Sequence, residues 1–225
     1  MTKRLNVLSG VLPKCRILAD VGCDHGYVGA NYLKNGIAEK VIFTDVSASS
    51  LKKAETLCRK EGLTNAEFVL CNGLEGVNFA DAAVIAGMGG LEIIGILERA
   101  PFLPQRLLLQ PMRNCVDVRQ FLCRNYRITS DFTLWDKKFY TVIVAEKSET
   151  GDCLTVEEQT FGRTNLLHPE ADFWKFLEKE IEKFKKIATP SAQERRMEYE
   201  NLKRRLENER KLEKIYGTGQ ANTEN

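Results

Sequence analysis

Leu18-Ala19-Asp20-Val21-Gly22-Cys23-Asp24-His25-Gly26-Tyr27 is the stretch on which the fold turns. An apolar run that opens at Arg16 closes on an acid and a glycine, and a tight turn with a second glycine follows. That turn leads into residues 28–35, whose apolar spacing predicts a helix. The unit repeats outward. Further β-rich runs occupy 40–45, 66–71, 82–86, 106–110 and 139–145, with amphipathic stretches at 51–60, 91–100 and 116–125 between them. Continuous apolar runs such as VIF at 41–43 and AAVIA at 82–86 suit strands buried on both faces. Ser47 is placed to cap the second helix. Strand–helix alternation of this kind predicts an α/β fold, a parallel sheet with helices on both faces.

The whole chain has 225 residues, 43% of them hydrophobic, so wholesale disorder is excluded. With 33 Lys/Arg against 31 Asp/Glu, no global field draws in a partner; only local asymmetry can. No apolar run reaches the roughly eighteen residues of a membrane span, and the start lacks a secretory pattern, so a cytoplasmic protein without a membrane partner is expected. The seven cysteines are scattered without a CxxC pair and the histidines stand far apart, which points to free thiols and no metal.

Beyond about residue 150 the pattern changes. Residues 148–165 read as polar loop. His168-Pro169-Glu170 then opens a helical pattern, with Pro169 suited to a first turn. Apolar residues recur at Phe173, Leu177, Ile181, Phe184 and Ala188, Thr189-Pro190-Ser191 breaks the run, and a second run passes through Tyr199, Leu202, Leu206 and Ile215 to Gly217. This predicts two domains, 1–150 and 151–225, the second a helical hairpin of two helices of about twenty or more residues, about 30 Å long. Residues 218–225 are expected to fray. Residues 175–214 hold 13 Lys/Arg against 9 Asp/Glu, a local excess of four. A solvated face with ion pairs four residues apart explains that excess; so does an arm that touches phosphates through Arg195, Arg196, Arg204 and Arg205. The arm could equally serve as a dimer interface or a docking site for another protein, although a monomer is expected.

Ligands of doubly wound sheets bind beyond the carboxyl ends of the strands, so the strand tips hold the candidate chemistry. Gly22, Gly26 and Gly29 give GxxxGxxG, not the GxGxxG of pyrophosphate sites, and an acidic turn suits a cationic ligand better than two phosphates. Asp45, at the next tip, can accept hydrogen bonds from both ribose hydroxyls, or serve as a helix N-terminal carboxylate. Asn72-Gly73 can present an amide to an adenine edge, though Asn-Gly is also a common turn. Ala86-Gly87-Met88-Gly89-Gly90 leaves room for a flat base. Gln110 can orient a base and Arg113 can meet a phosphate, with plain turn roles equally open. A nucleotide-dependent oxidoreductase and a non-catalytic RNA- or protein-binding module are the competing readings; glycine spacing disfavours the first and three intact strand tips the second.

KRLNVLSGVLPKCRILADVGCDHGYVG at 3–29, IAGMGG at 85–90, LLLQPMRN at 107–114 and YTVIVAE at 140–146 together resemble the bacterial tRNA (adenine-22-N1)-methyltransferase family. The resemblance implies a Rossmann-like class I methyltransferase sheet with a C-terminal coiled coil, S-adenosylmethionine as cofactor and tRNA as substrate. It implies that Asp20, Gly22, Cys23, Asp24, His25 and Gly26 surround the methionine end, Asp45 and Val46 the ribose, and Asn72 and Gly73 the adenine. Ala86, Gly87, Met88 and Gly89 then lie beside the transferring methyl, with Gly90 turned toward RNA. Asp24 is expected to tolerate the shifting positive charge, and Tyr27 or the Gln110 loop to contact the target base. Met112 follows Gln110-Pro111 where a polar residue is common in the family.

Overall fold

The computed structural model describes residues 2–217, with side chains described as far as Leu212. The chain divides into two compact units between Arg163 and Thr164, thirteen residues beyond the expected division at 150.

The first unit is built on a seven-stranded sheet: β1 (Cys15–Val21), β2 (Ala38–Asp45), β3 (Ala66–Leu70), β4 (Ala82–Met88), β5 (Arg106–Pro111), β6 (Tyr126–Asp136) and β7 (Lys138–Lys147). Their order is β3-β2-β1-β4-β5-β7-β6. The first five are parallel, and the order reverses between β1 and β4, the switch point where a crevice must open. At one edge β7 lies antiparallel to both β5 and β6. A hairpin turn at Lys137 joins β6 to β7, and so short a connection can return a strand only antiparallel.

Helices α1 (Lys3–Leu8), α2 (Tyr27–Lys34) and α3 (Ala48–Lys60) cover one face, where Leu8, Tyr32, Leu51 and Ala54 pack on Leu18, Val41 and Phe43. Helices α4 (Gly90–Arg99) and α5 (Cys115–Leu122) cover the other, where Ile93, Leu97, Val118 and Leu122 pack on Ala19, Ile85 and Leu107. Successive residues of β1 therefore enter opposite cores, as the two-residue period of a strand requires. Ser47 caps α3 as expected, its hydroxyl accepting from Ser50 N–H.

Residues 148–165 are not all loop. Helix α6 (Val156–Phe161) starts with a capping box, Thr155 and Glu158 bonding each other's backbone N–H. It belongs to the first unit because Arg119 fastens it there. The guanidinium of Arg119, 2% exposed, meets both oxygens of Asp131 at 2.6 and 2.9 Å and donates to the carbonyl of Gln159 at 2.8 Å. Asp152 adds a second tie, accepting from Arg163 and from Ile128 N–H.

Helix α7 (Arg163–Leu167) starts at the division, and the second unit contains α8 (Ala171–Lys185) and α9 (Pro190–Gly217). The hairpin is present with unequal arms: α8 has 15 residues, about 22 Å, and α9 has 28. Pro169 lies outside α8, where its carbonyl accepts from Trp174 Nε1, and Glu170 is the cap. Pro190 does not merely break a helix but opens α9, with Thr189 Oγ1 accepting from Ala192 N–H. Phe173, Leu177, Ile181 and Phe184 are buried along α8, and Ala192, Leu202 and Leu206 along α9. Tyr199 packs its ring on Phe176 and Phe184, and Lys203 pairs with Glu178 at 2.9 Å. The expectations for residues 218–225 and for the Ile215 side chain fall outside what is described. Among the described residues no helix is long and apolar enough to cross a membrane.

Arg119→Met removes the guanidinium that meets both oxygens of the buried Asp131 and the bond that ties α6 to the first unit. The expected loss is about 3–5 kcal/mol of unfolding free energy, read from urea denaturation.

Candidate active site

The crevice at the switch point opens into a cavity of about 420 Å³ lined by Asp20, Gly22, Cys23, Asp24, His25 and Tyr27 from the first strand–helix turn. Ala86, Gly87 and Met88 from the tip of β4 and Arg4, Leu5 and Leu8 from α1 complete it. Most of the residues expected at the methionine end are thus brought together.

Asp20 is its floor. The side chain is buried, and its Oδ2 accepts one hydrogen bond, from Gly29 N–H at 2.9 Å. Gly29 makes that approach possible: a Cβ there would lie 2.5 Å from the Phe43 ring and 2.9 Å from Asp20 Oδ2. Burial pushes the Asp20 carboxyl up to about 7, the Gly29 N–H working against the shift and the Asp45 carboxylate adding to it. The same burial raises the Cys23 thiol well above its ordinary value, with the neighbouring Asp20 and Asp45 carboxylates acting in the same direction.

The turn above is held by a carboxylate. Asp45 Oδ2 accepts from Asp24 N–H at 3.1 Å and Oδ1 from Ser47 N–H at 2.8 Å. This leaves each oxygen a second lone pair for a ligand hydroxyl. Asp24 itself has φ 46°, a left-handed conformation that costs a residue with a Cβ energy and that Asp tolerates better than most. Its carboxylate sits at the rim, 3.2 Å from Lys53 Nζ and 3.8 Å from His25 Nε2. The His25 and Tyr27 rings stack at 5.4 Å and 10°, leaving Tyr27 exposed at the mouth. On the far side of this stack a more open hollow of about 490 Å³ is lined by Lys52, Lys53, Thr56 and Lys60 of α3. Of its lysines, Lys52 pairs with Glu55 at 2.9 Å and Lys53 with Asp24 at 3.2 Å. At Gly22, φ is +65° and the Met88 methyl lies where a Cβ would project.

Two site expectations are corrected. Gln110 does not face a base: it is fully buried, its Oε1 accepts from Arg4 Nη1 at 2.6 Å, and its Nε2 donates to Pro111 O and Met112 Sδ, each at 3.2 Å. The unexpected Met112 thus helps to lock Gln110. Gly90 is not turned toward RNA; it is buried at the start of α4, where a Cβ would meet the Arg113 and Asn114 carbonyls at 2.6 Å. Arg113 is exposed, its guanidinium beside Gly89. Val46 and Asn72 are exposed at the tips of β2 and β3 outside the cavity lining, while Gly73 is buried, its carbonyl accepting from Thr44 Oγ1. On α9, Arg195, Arg204 and Arg205 are exposed; Arg196 is half-buried with its Nε 3.7 Å from Glu200. The sequence reading missed Arg4, whose signal, a basic residue in a short amphipathic N-terminal turn, becomes meaningful only beside Gln110.

A buried carboxyl with one hydrogen bond, facing a cavity with a second acid at its rim, fits a positively charged ligand. The tRNA (adenine(22)-N(1))-methyltransferase family model matches residues 18–211. The chain belongs to that family. A curated Bacillus subtilis protein of that name is 32% identical over 157 residues, 66% of each chain. The solved structure of Streptococcus pneumoniae Sp1610 in complex with S-adenosyl-L-methionine is 26% identical, with a TM-score of 0.78 over 92% of this chain and 98% of that one. The B. subtilis m1A22 tRNA methyltransferase structure is 25% identical, with a TM-score of 0.73 over the same shares. The activity of this family member is methyl transfer from S-adenosylmethionine to N1 of a tRNA adenine.

Folding favours the protonated Asp20, because its folded-state value of about 7 lies above the ordinary 3.8. Its contribution to stability is therefore whole below about pH 4 and is lost as pH rises through 7. Asp20→Asn, unable to ionise, removes that loss. Without cofactor it is expected to match the parent in urea titrations near pH 4 and to exceed it at pH 8 by up to about 4 kcal/mol, while no longer binding S-adenosylhomocysteine.

Proposed function

We propose that the cavity between the β1 and β4 tips holds the amino-acid end of S-adenosylmethionine and admits the target adenine beside Tyr27. Asp20 carries this reading: a carboxyl kept in a desolvated site is compensated there by positive charge on the ligand. Asp24 adds a second acid at the rim, Asp45 offers its remaining lone pairs to the ribose, and Asn72 and Gly73 border the adenine. Gly87, between Ala86 and Met88 in the cavity lining, leaves a gap without a side chain at the β4 tip where the base approaches. S-adenosylmethionine supplies an electrophilic methyl group on a positively charged sulfur.

Adenine N1 carries its own lone pair, so no residue has to remove a proton first. What the chain contributes is alignment at near-contact distance and acids that tolerate positive charge as it moves to the base. Because N1 is occupied in a Watson–Crick pair, the nucleotide must be unpaired or turned out of its stack, and an exposed Tyr27 backed by His25 is a ready surface for it. Lys60 beside that stack and Arg113 offer charge to phosphates near the target, and Arg195, Arg204 and Arg205, exposed on α9, offer it to RNA backbone away from the target base. The protein acts as a monomer, and its seven free cysteines suit a reducing cytoplasm.

Purified protein is expected to methylate unmodified tRNA with S-adenosylmethionine, the mark mapping to N1 of adenine 22; no mark, or one at another atom, overturns the reading. Tyr27→Ala should lower kcat/KM for tRNA at least tenfold while Tyr27→Phe stays within about threefold, because the ring face and not the hydroxyl is used. Replacing Arg195, Arg204 and Arg205 together by Ala should weaken tRNA binding and flatten its salt dependence by up to about three in log–log slope, without changing cofactor affinity.

A further inference from the structure

The turn between β6 and β7 carries a residue that its conformation does not favour. Asp136 and Lys138 face each other in register, which leaves Lys137 alone at the apex with φ 64°. That left-handed region suits glycine, and Asn or Asp tolerates it, whereas lysine adopts it at an energetic cost. The Lys137 side chain is exposed and makes no hydrogen bond or ion pair among the described residues, only a through-space attraction to Asp136. A glycine at the apex would serve the hairpin better.

The tip is firmly held, and at the edge of the sheet where the cavity opens. β7 runs antiparallel to β5, so its first residues lie beside the end of β5. On one face of the hairpin Trp135 and Phe139 pair across the strands at 4.5 Å; on the other the buried Leu134 faces Tyr140. The Tyr140 ring is shared by two cations, the Lys138 ammonium at 5.2 Å from its centroid and the guanidinium of the cavity-lining Arg4 at 5.3 Å. Asp136, the acid of the turn, is committed through Oδ2 to the Arg4 N–H at 2.8 Å. Three cations thus stand around one carboxylate, and a ring face attracts a cation without cancelling its charge. Such an excess beside the cavity complements a polyanion.

We propose that Lys137 and Lys138 are substrate-binding residues that grip tRNA backbone phosphates next to the nucleotide entering the cavity. The inference rests on the reading that this cavity admits the target adenine. It gives the first unit an RNA contact of its own and accounts for a lysine where the backbone favours glycine: charge at the apex is what the RNA meets.

Fluorescence anisotropy with unmodified tRNA across a salt series tests it. Lys137→Gly removes the charge and relieves the backbone, so its thermal midpoint should equal or exceed the parent's while tRNA affinity falls about three- to tenfold. Lys137→Arg, which keeps the charge, should bind within about threefold of the parent. Lys137→Gly combined with Lys138→Gln should flatten the log–log salt slope by up to about two and leave S-adenosylhomocysteine affinity within about twofold. A benzophenone side chain installed at position 137 should cross-link under near-ultraviolet light to nucleotides adjoining the methylated adenine. A double variant that binds tRNA as tightly as the parent, with the same slope, overturns the proposal, as does a cross-link confined to nucleotides remote from that adenine. A parent protein that leaves tRNA unmethylated overturns the functional reading and this inference together.

Discussion

The close approach of α2 to the end of β1 is the constraint on which the site depends. A helix can descend this far onto a strand only if the residue at the contact has no side chain, and Gly29 supplies that against Phe43, Val41 and Asp20. The descent brings a backbone N–H to Asp20 and so makes a buried carboxyl tolerable. Above it stand the left-handed turn at Asp24 and its tie to Asp45, over a cavity floor that is acidic and buried. The first strand–helix unit is less a frame for the site than its chemical base.

Edge elements finish what that unit begins. The antiparallel β6–β7 hairpin extends the sheet beyond β5 and supplies Asp136 and Tyr140 for Arg4. A short N-terminal helix thereby acquires a fixed place, although its six residues could not hold themselves together in water. Deep in the same edge, Arg119 and Asp131 extend the ordered core through α6, so the first unit runs on to Arg163.

What could be read from sequence was what local rules determine. Strands buried on both faces stand out as unbroken apolar runs, and β1, β2, β4 and β5 were legible for that reason. β6 was not, because the register shifts between Ile128 and Ser130. Burial falls on Tyr126 and Ile128 before the bulge and on Asp131 and Leu134 after it, which destroys the alternation a reader would seek. Helix α6 had a visible signal in Thr155 and Glu158, obscured by its polar neighbourhood. The glycines and acids of the first turn were legible in the site because they are adjacent in sequence. Arg4 and Gln110, 106 residues apart, acquire meaning only from folding, and Gln110, read alone, suggested the opposite of its buried place.

The raised Cys23 thiol bears on the enzyme's own survival. A cysteine within reach of an activated alkylating agent is hazardous in its deprotonated form, since that form attacks carbon readily. Burial and two neighbouring carboxylates keep the proton on Cys23. The acids that line the cavity thus also keep one of its sulfurs protonated, which makes it a poor nucleophile toward an electrophilic ligand.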